Sequence, residues 1–300
     1  MTRFPIAGLG FALFLAASAS VAEQVEVPGG KITVQLARDP GALDHAAMLD
    51  WIRDSAGAVA AWYGQFPIAS LKIVVMPKSG RGVSGGRSWA HDGGLIRIRV
   101  GEQTTADDFA KDWVLVHEMT HFALPSLPEA QAWLEEGLAT YVEPLARAQA
   151  GQMRAEEVWS GFVRGMPNGL PRAGDRGLDR THTWGRTYWG GALFCLVADL
   201  EIRRRTANRR GLQDALRAIL ESGNMETFSE IGPLLAIGDR AVGVPVLSEL
   251  YARQKDRAEP IDLAALWARL GVAERGGAVE FDNAAPEAWL RRALTRRSET

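Results

Sequence analysis

The residues that could most clearly do chemistry are two histidines and a glutamate in a His-Glu-x-x-His pattern. The pattern runs from His117 to His121, inside an apolar stretch from Trp113 to Leu124 that is predicted to be helical. Because residues four positions apart share one face of a helix, the two histidines could bind one metal ion together. Glu118 would lie beside that ion and could act as a general base. The pattern predicts a zinc site that activates water, although an ordinary amphipathic helix could also carry two histidines.

A zinc site that activates water keeps three protein ligands, so a third ligand must come from another element. Downstream, the segment from Trp133 to Tyr141 is predicted to be helical and offers two adjacent carboxylates, Glu135 and Glu136. Pro125 and Pro128 indicate a turn between this helix and the histidine helix. The spacing therefore allows a second helix to supply the third ligand.

The His-Glu-x-x-His pattern followed by Trp-Leu-x-Glu-Gly resembles the gluzincin metallopeptidases, a group that contains thermolysin-like and aminopeptidase-like enzymes. Its form is most similar to the bacterial glycyl-aminopeptidase-like branch. The resemblance implies one zinc ion per chain, held by His117, His121 and Glu136. It places Glu135 in a variable position of the motif and makes Glu118 the general base.

A third segment, Thr187 to Leu193, resembles the Tyr-x-Lys-Gly-Ala-Leu sequence of the same family. The resemblance implies that the hydroxyl of Tyr188 stabilises the oxyanion formed during hydrolysis. The match is partial because Gly190 occupies the position where the family often has lysine. The alternative is a tyrosine on an apolar helix with its hydroxyl at the surface.

Composition and charge restrict the class of protein. Hydrophobic residues make up 47% and charged residues 23% of the 300 residues, which is typical of a globular protein. A net charge of −2 argues against a nucleic-acid-binding surface. The single cysteine, Cys195, lies in an apolar segment and is predicted to be a buried, unreactive thiol.

The first 22 residues have the pattern of a signal peptide. Arg3 provides a positive start, Ile6 to Ala17 is apolar, and small residues precede a cleavage site after Ala22. The apolar run is too short to cross a membrane, and we expect no stable membrane insertion after cleavage. The sequence therefore predicts a periplasmic or secreted protein.

Alternating and helical patterns predict the elements around the motif. Strands are expected at residues 31–37, 71–76 and 95–100, and a helix at 42–63. The glycine-rich residues 78–94 are expected to form a flexible loop. By the gluzincin resemblance, the strand segment Ile96 to Arg99 would be the edge that binds substrate backbone.

Capping patterns predict where the helices begin. Thr104 or Thr105 is expected to cap the histidine helix, and the sequence from Ser126 to Glu129 is a capping-box pattern for the next helix. Pro144 is expected to kink or restart that helix. The roles of four residues near these elements stay open, with turn or surface-loop positions as the default: His91, Asp92, His182 and Arg186.

The predicted architecture is α+β and zincin-like, with a small mixed sheet and a metal-binding helix followed by a mostly helical C-terminal part. The expected division is a signal peptide at 1–22, an N-terminal α/β part at 23–125, and a helical part at 126–300. Helices are expected at 188–205, 212–220, 246–254, 263–270 and 286–294. The helical part would supply Glu136 and Tyr188.

The expected function is zinc-dependent hydrolysis of peptide bonds in the cell envelope, with a peptide or protein as substrate. Two alternatives remain: an aminopeptidase of the same fold, and a catalytically idle envelope protein that binds metal and a peptide or partner. The segment from Gly85 to Asp92 lacks the glutamate with which related aminopeptidases bind a free amine. An endopeptidase is therefore favoured, and the sequence does not indicate an oligomeric state.

Overall fold

The computed structural model describes residues 22–297, so the predicted signal peptide lies outside the described residues except for Ala22. A five-stranded mixed sheet has the order β1-β2-β3-β5-β4. Its strands are β1 Glu23–Val27, β2 Gly30–Leu36, β3 Ser70–Lys78, β4 Val83–Ala90 and β5 Gly94–Gly101. Strands β2, β3 and β5 are parallel, whereas β1 and β4 are antiparallel to their neighbours.

Strand β4 forms one edge of the sheet, and the sequence did not predict it. The expected flexible loop at residues 78–94 is wrong, because β4 pairs with β5 from Gly86 opposite Ile98 to Ala90 opposite Gly94. Since β5 lies between β3 and β4, the expected substrate edge at Ile96 to Arg99 is also wrong. The free edge beside the histidine helix belongs to β4.

One face of the sheet carries the apolar core and the other faces solvent. Along β5, Ile96, Ile98 and Val100 are fully buried, while Arg97 and Arg99 are exposed, as expected for a strand with one solvated face. The first helix, α1 His45–Tyr63, packs against the N-terminal strand β1 and the histidine helix. It is capped by the side chain of Asp44 and ends at Gly64 with a φ of 86°.

The C-terminal part is mostly helical, as predicted. After α1, the helices are α2 Ala106–Ala110, α3 Val114–Thr120, α4 Ala132–Gln149, α5 Ala155–Gly165, α6 Gly191–Arg205, α7 Leu212–Ser222, α8 Ile231–Val242, α9 Val246–Gln254, α10 Leu263–Leu270 and α11 Ala288–Leu294. A short hairpin joins β6 Val272–Arg275 to β7 Ala278–Phe281. These elements and the sheet confirm the predicted α+β class, although α5 and α8 were not predicted.

The histidine helix α3 begins differently from the prediction. Thr105 caps the separate short helix α2, not the histidine helix. The carboxylate of Asp112 instead accepts hydrogen bonds from the backbone N–H groups of Val114 and Leu115, both at 3.1 Å. It also accepts one from Trp51 Nε1 at 3.2 Å, which ties the start of α3 to α1. The N-terminus of α3 is therefore fixed by the core of the molecule.

Helix α4 also departs from two expectations. The hydroxyl of Ser126 donates to the carbonyl of Met225 rather than capping a helix, so the predicted capping box is wrong. A single 3₁₀ turn precedes α4, and α4 continues through Pro144 without interruption. The buried side chain of Arg147 pairs with the buried carboxylate of Glu143, one turn earlier in α4. It also donates a hydrogen bond to the Ala110 carbonyl, and this bond fastens α4 to the segment before α3.

Buried apolar side chains from the sheet and from the C-terminal helices form one continuous core. Cys195 is buried in it, as predicted, and burial raises the pKa of its thiol. Of the helices within residues 22–297, none combines the length and the apolarity that a bilayer crossing requires.

Candidate metal centre

His117, His121 and Glu136 come together between α3 and α4, where His117 is buried and the other two are half-buried. His117 lies in α3, and His121 begins the single 3₁₀ turn that continues this helix. Glu136 lies in the first half of α4. Its Oε2 is 3.2 Å from His117 Nε2 and 3.7 Å from His121 Nε2, and one ligand atom from each residue lies within 4.8 Å of the others. The structure therefore brings together all three predicted ligands.

The donor set and its protonation suit a zinc ion. Two imidazole nitrogens and one carboxylate oxygen are zinc ligands of the type found in sites with an open fourth position. Burial, reinforced by the neighbouring His117, lowers the pKa of His121 to about 4, so its ring is neutral and able to bind metal. Burial pushes the pKa of Glu136 upward, but the hydrogen bond with His117 and the electrostatic effect of the two neighbouring imidazoles hold it below its usual value.

Glu135 does not join the cluster. Its Oε1 accepts a hydrogen bond from the backbone N–H of Leu127 at 2.8 Å, which fastens the loop before α4. Burial raises the pKa of Glu135, and the nearby charge of Glu136 adds to the effect. Of the two adjacent glutamates, the geometry therefore selects Glu136 as the candidate ligand, as the resemblance implied.

Glu118 is held beside the cluster by the edge strand β4. Its carboxylate accepts a hydrogen bond of 2.5 Å from the hydroxyl of Ser88, which also lies 2.9 Å from the Glu118 carbonyl. Gly86 leaves the space for this carboxylate, because a Cβ at that position would lie 2.6 Å from Glu118 Cγ. Burial raises the pKa of Glu118 and makes it a better proton acceptor than an exposed glutamate.

Tyr188 faces the same cluster from a π-helical turn, Gly185–Gly190, that leads into α6. Its ring is nearly parallel to that of His117, with centroids 6.3 Å apart. Burial, together with the negative charge of Glu136, raises the pKa of Tyr188 to about 12. The hydroxyl therefore keeps its proton at neutral pH and can donate a hydrogen bond into the site. Such π-helical turns occur often at functional sites.

A contact between two glycines sets the distance between the ligand helix and the tyrosine. A Cβ on Gly137 would lie 2.2 Å from Gly191 Cα, and one on Gly191 would lie 2.0 Å from the Trp133 carbonyl oxygen. The backbones of α4 and α6 thus touch directly, one residue after Glu136 and three residues after Tyr188. This contact brings residues separated in sequence to the same site.

The remaining candidate residues lie apart from this cluster. His91 and Asp92 occupy the exposed turn between β4 and β5, and His182 is exposed as well. Arg186 is not in a surface loop, because it is buried and pairs with Asp175 at 2.8 Å. His91 and Asp92 are therefore turn residues, and Arg186 fixes the loop that precedes the π-helical turn.

Thr140 makes its hydrogen bond to the backbone of Glu136 and not to a ligand side chain. Its hydroxyl donates to the backbone carbonyl of Glu136 at 2.8 Å, within α4. Sequence reasoning also missed Ser88 and Gly86. The only available signal for these two was the glycine-rich composition of β4, which indicates a loop more readily than a strand.

Two adjoining clefts surround the cluster and share His117 and Tyr188. A polar cleft of about 480 Å³ contains Glu118 and the cluster. An apolar cleft of about 560 Å³ extends to the other side and is lined by aromatic residues such as Trp113 and Phe162. The site is thus open enough to receive an extended chain and has space for an apolar side chain.

No protein-family model matches the chain, and no curated protein sequence matches it. Among solved structures, an aminopeptidase N family protein from Idiomarina loihiensis matches with a TM-score of 0.61 and 14% identity, covering 85% of this chain and 49% of that one. An M1 zinc metallopeptidase from Deinococcus radiodurans gives 0.51 and 17%, covering 80% and 52%. A two-domain M1 zinc metallopeptidase bound to L-arginine gives 0.53 and 15% with the same coverage.

The chain therefore has the fold of these M1 zinc metallopeptidases, which confirms the expected zincin-like architecture. It spans about half the length of the structures that it matches. The likeness agrees with the gluzincin resemblance at the level of the fold and does not bear on the glycyl-aminopeptidase-like branch.

Proposed function

We propose that this protein hydrolyses peptide bonds with the help of one zinc ion per chain. The observation that carries the proposal is the meeting of His117, His121 and Glu136 within 4.8 Å, with the Glu118 carboxylate beside them. A site that only stores metal has no need of a buried, basic carboxylate next to its ligands. The fold shared with zinc metallopeptidases and the adjoining clefts support the same reaction.

Each residue has a distinct part in the proposed reaction. His117, His121 and Glu136 would hold the zinc ion, which when bound supplies a Lewis acid that polarises a carbonyl and makes water more acidic. Glu118, held by Ser88, would accept a proton from the attacking water and pass it to the leaving amine nitrogen. The hydroxyl of Tyr188 would donate to the oxyanion that develops on the scissile carbonyl.

Digestion of a peptide library by the zinc-loaded protein tests this proposal. Cleavage products should appear with the loaded protein, disappear after chelation, and return when zinc is added back. A fully loaded protein that cleaves no peptide would contradict the proposal and favour the catalytically idle, peptide-binding alternative.

We also propose that the protein acts in the cell envelope, in the periplasm or after secretion. This rests on the signal-peptide pattern that ends at Ala22.

Tyr188→Phe should retain zinc and the fold but lower kcat by about 10²-fold, as expected for the loss of one oxyanion donor. The phenyl ring keeps the stacking on His117, so only the hydroxyl is removed. Tyr251→Phe is the matched control, because its hydroxyl donates to Asp179 outside the site. Steady-state kinetics on one cleaved peptide, with zinc analysis, provide the measurement. Equal kcat values for Tyr188→Phe and wild type would exclude this role.

Aminopeptidase activity is the second candidate, favoured by the aminopeptidase N family protein among the structural matches. An aminopeptidase must bind the free α-ammonium group, and an unpaired ammonium in a cleft is costly. Asp92, the only carboxylate between Gly85 and Asp92, projects from the exposed turn, while the cationic Arg87 lines the cleft. This arrangement favours an endopeptidase.

We therefore expect one peptide to be cleaved at similar rates with a free and with an acetylated N-terminus. Mass spectrometry of the products distinguishes internal cleavage from stepwise removal of N-terminal residues. If acetylation abolishes cleavage and the free peptide loses single residues from its N-terminus, the aminopeptidase alternative is correct. Asp92 would then be the first carboxylate to replace.

A further inference from the structure

Two arginines lie side by side on the solvent face of the sheet, next to the cleft. Arg87 on β4 is directly opposite Arg97 on β5, and both are exposed. Like charges directly opposite each other on a sheet are destabilising. Both guanidinium groups lie over the ring of Trp89, at 5.3 Å and 5.7 Å from its centroid, so a single aromatic ring interacts with both cations.

Although Arg87 also lines the cleft and its charge acts on Glu118, this basic face forms no ion pair in the part of the chain that the structure describes. There, no carboxylate lies within ion-pair distance of Arg87, Arg97 or Arg99, nor of Lys72 on the neighbouring strand β3. All four side chains are exposed. In contrast, many arginines of the C-terminal helices form ion pairs, for example Arg204 with Glu287. The concentration of unpaired positive charge is therefore a local feature, in a protein whose net charge is −2.

The basic face continues directly into the candidate catalytic cleft. Successive residues of a strand point to opposite faces, so Gly86 and Ser88 face Glu118, while Arg87 lies on the basic side, at the margin of the cleft. Because β4 is an edge strand, an extended peptide can pair with its free backbone groups. The side chains of that peptide would then alternate between the zinc cluster and the arginines.

We propose that Arg87 and Arg97 bind an acidic side chain of the substrate. This acidic residue would be the sequence neighbour of the substrate residue whose side chain points toward the zinc cluster and Glu118. This inference rests on the proposed function and adds a preference for extended segments with aspartate or glutamate beside the cleaved bond. The substrate carboxylate would supply the counter-charge that the two facing guanidinium groups lack. Carboxylates and guanidinium groups form charge-assisted hydrogen bonds that are stronger than neutral ones.

A simpler explanation accounts for only one of the two arginines. A charged residue on an edge strand discourages pairing with the edge of another molecule, and Arg87 could serve that purpose. Arg97 lies on β5, which has a paired strand on each side, so edge protection gives no reason for an arginine at this position. If protection were the only role, the charge of a substrate side chain would not affect catalysis.

The kinetic test uses a neutral, acetylated peptide that the wild type cleaves. Glu, Gln or Lys is placed in turn at each position flanking the cleaved bond, and kcat/KM is measured for each peptide. At one position we expect Glu to exceed Gln by about three- to tenfold, and Lys to fall below Gln, as for a partly exposed ion pair. The difference should shrink at high salt because salt screens exposed charges.

Charge reversal then identifies the residue responsible. Arg87→Gln should abolish the difference between the Glu and Lys peptides, and Arg87→Glu should reverse their order, when each rate is expressed relative to that of the same variant on the Gln peptide. Arg240→Glu on α8, also exposed and outside both clefts, is the matched control and should keep the wild-type order. Equal rates for Glu and Lys peptides in the wild type, or an unchanged order in Arg87→Glu, would overturn the inference.

A binding measurement separates this inference from the proposed function. Short fluorescent peptides that alternate Glu-Ala, Gln-Ala or Lys-Ala place their charges on one face of an extended strand. The zinc-loaded Glu118→Gln variant should bind the Glu-Ala peptide most tightly in fluorescence anisotropy, and the additional change Arg87→Glu should shift the preference to Lys-Ala. If no peptide in the library is cleaved, the proposed function fails, and this binding order still decides the role of Arg87.

Discussion

Glu118→Gln should bind zinc and fold like the wild type but lose at least about 10³-fold in kcat, as for removal of a general base. Glutamine is nearly isosteric with glutamate, and its amide oxygen can still accept the hydrogen bond from Ser88. It cannot accept a proton from water. The variant therefore separates proton transfer from metal binding and from the packing against Gly86.

The measurement combines zinc analysis, thermal unfolding and kcat on a peptide cleaved by the wild type. Glu129→Gln is a suitable control, since Glu129 is exposed in the 3₁₀ turn before α4. An active Glu118→Gln protein would show that another group accepts the proton. A variant that loses zinc would show that Glu118 also supports the ligands.

His121→Ala and Glu136→Ala should each reduce bound zinc from about one per chain to near zero, because each removes one of three protein ligands. Exposed His182 and Glu129 provide matched controls through the same substitutions. Zinc content after dialysis gives the direct measurement. Full zinc occupancy in both ligand variants would show that the site lies elsewhere.

Zinc binding should also stabilise the folded chain, which provides a readout that does not depend on activity. At a free zinc concentration about a hundred times Kd, the stabilisation is about 2.7 kcal/mol. The midpoint of thermal unfolding should therefore rise with zinc for the wild type and both control variants. It should stay constant for His121→Ala and Glu136→Ala over the same zinc range.

The sequence was sufficient to predict the cluster because its signals are local. His117 and His121 are four residues apart on one helix, and Glu136 lies in a short motif on the next helix along the chain. The α+β class followed from the alternation of β2, β3 and β5 and from the periodicity of the later helices. Helical spacing and strand alternation depend on near neighbours, which a single sequence displays.

The supports of the site could not be predicted, because they depend on contacts between distant segments. β4 consists largely of small and polar residues, and it is a strand because β5 pairs with it and α3 packs beside it. Asp112 replaces the expected threonine cap because the helix is interrupted between α2 and α3. The interruption places Asp112 within hydrogen-bond distance of Trp51 on α1. Tertiary contacts override local propensity in both places.

The contact between Gly137 and Gly191 restricts how a site of this kind could change over generations. Exposed residues of the cleft lining, such as Arg87 and Trp113, can be exchanged one at a time, because their side chains end in open space. A larger residue in place of either glycine would force α4 and α6 apart and move Glu136 away from Tyr188. Overpacking of this kind lowers the free energy of unfolding by about 1–3 kcal/mol or more. No single substitution at the partner position can restore the distance, since glycine has no side chain to shorten. Evolution or design toward new substrates would therefore proceed through these exposed residues, while this pair of helices stays fixed.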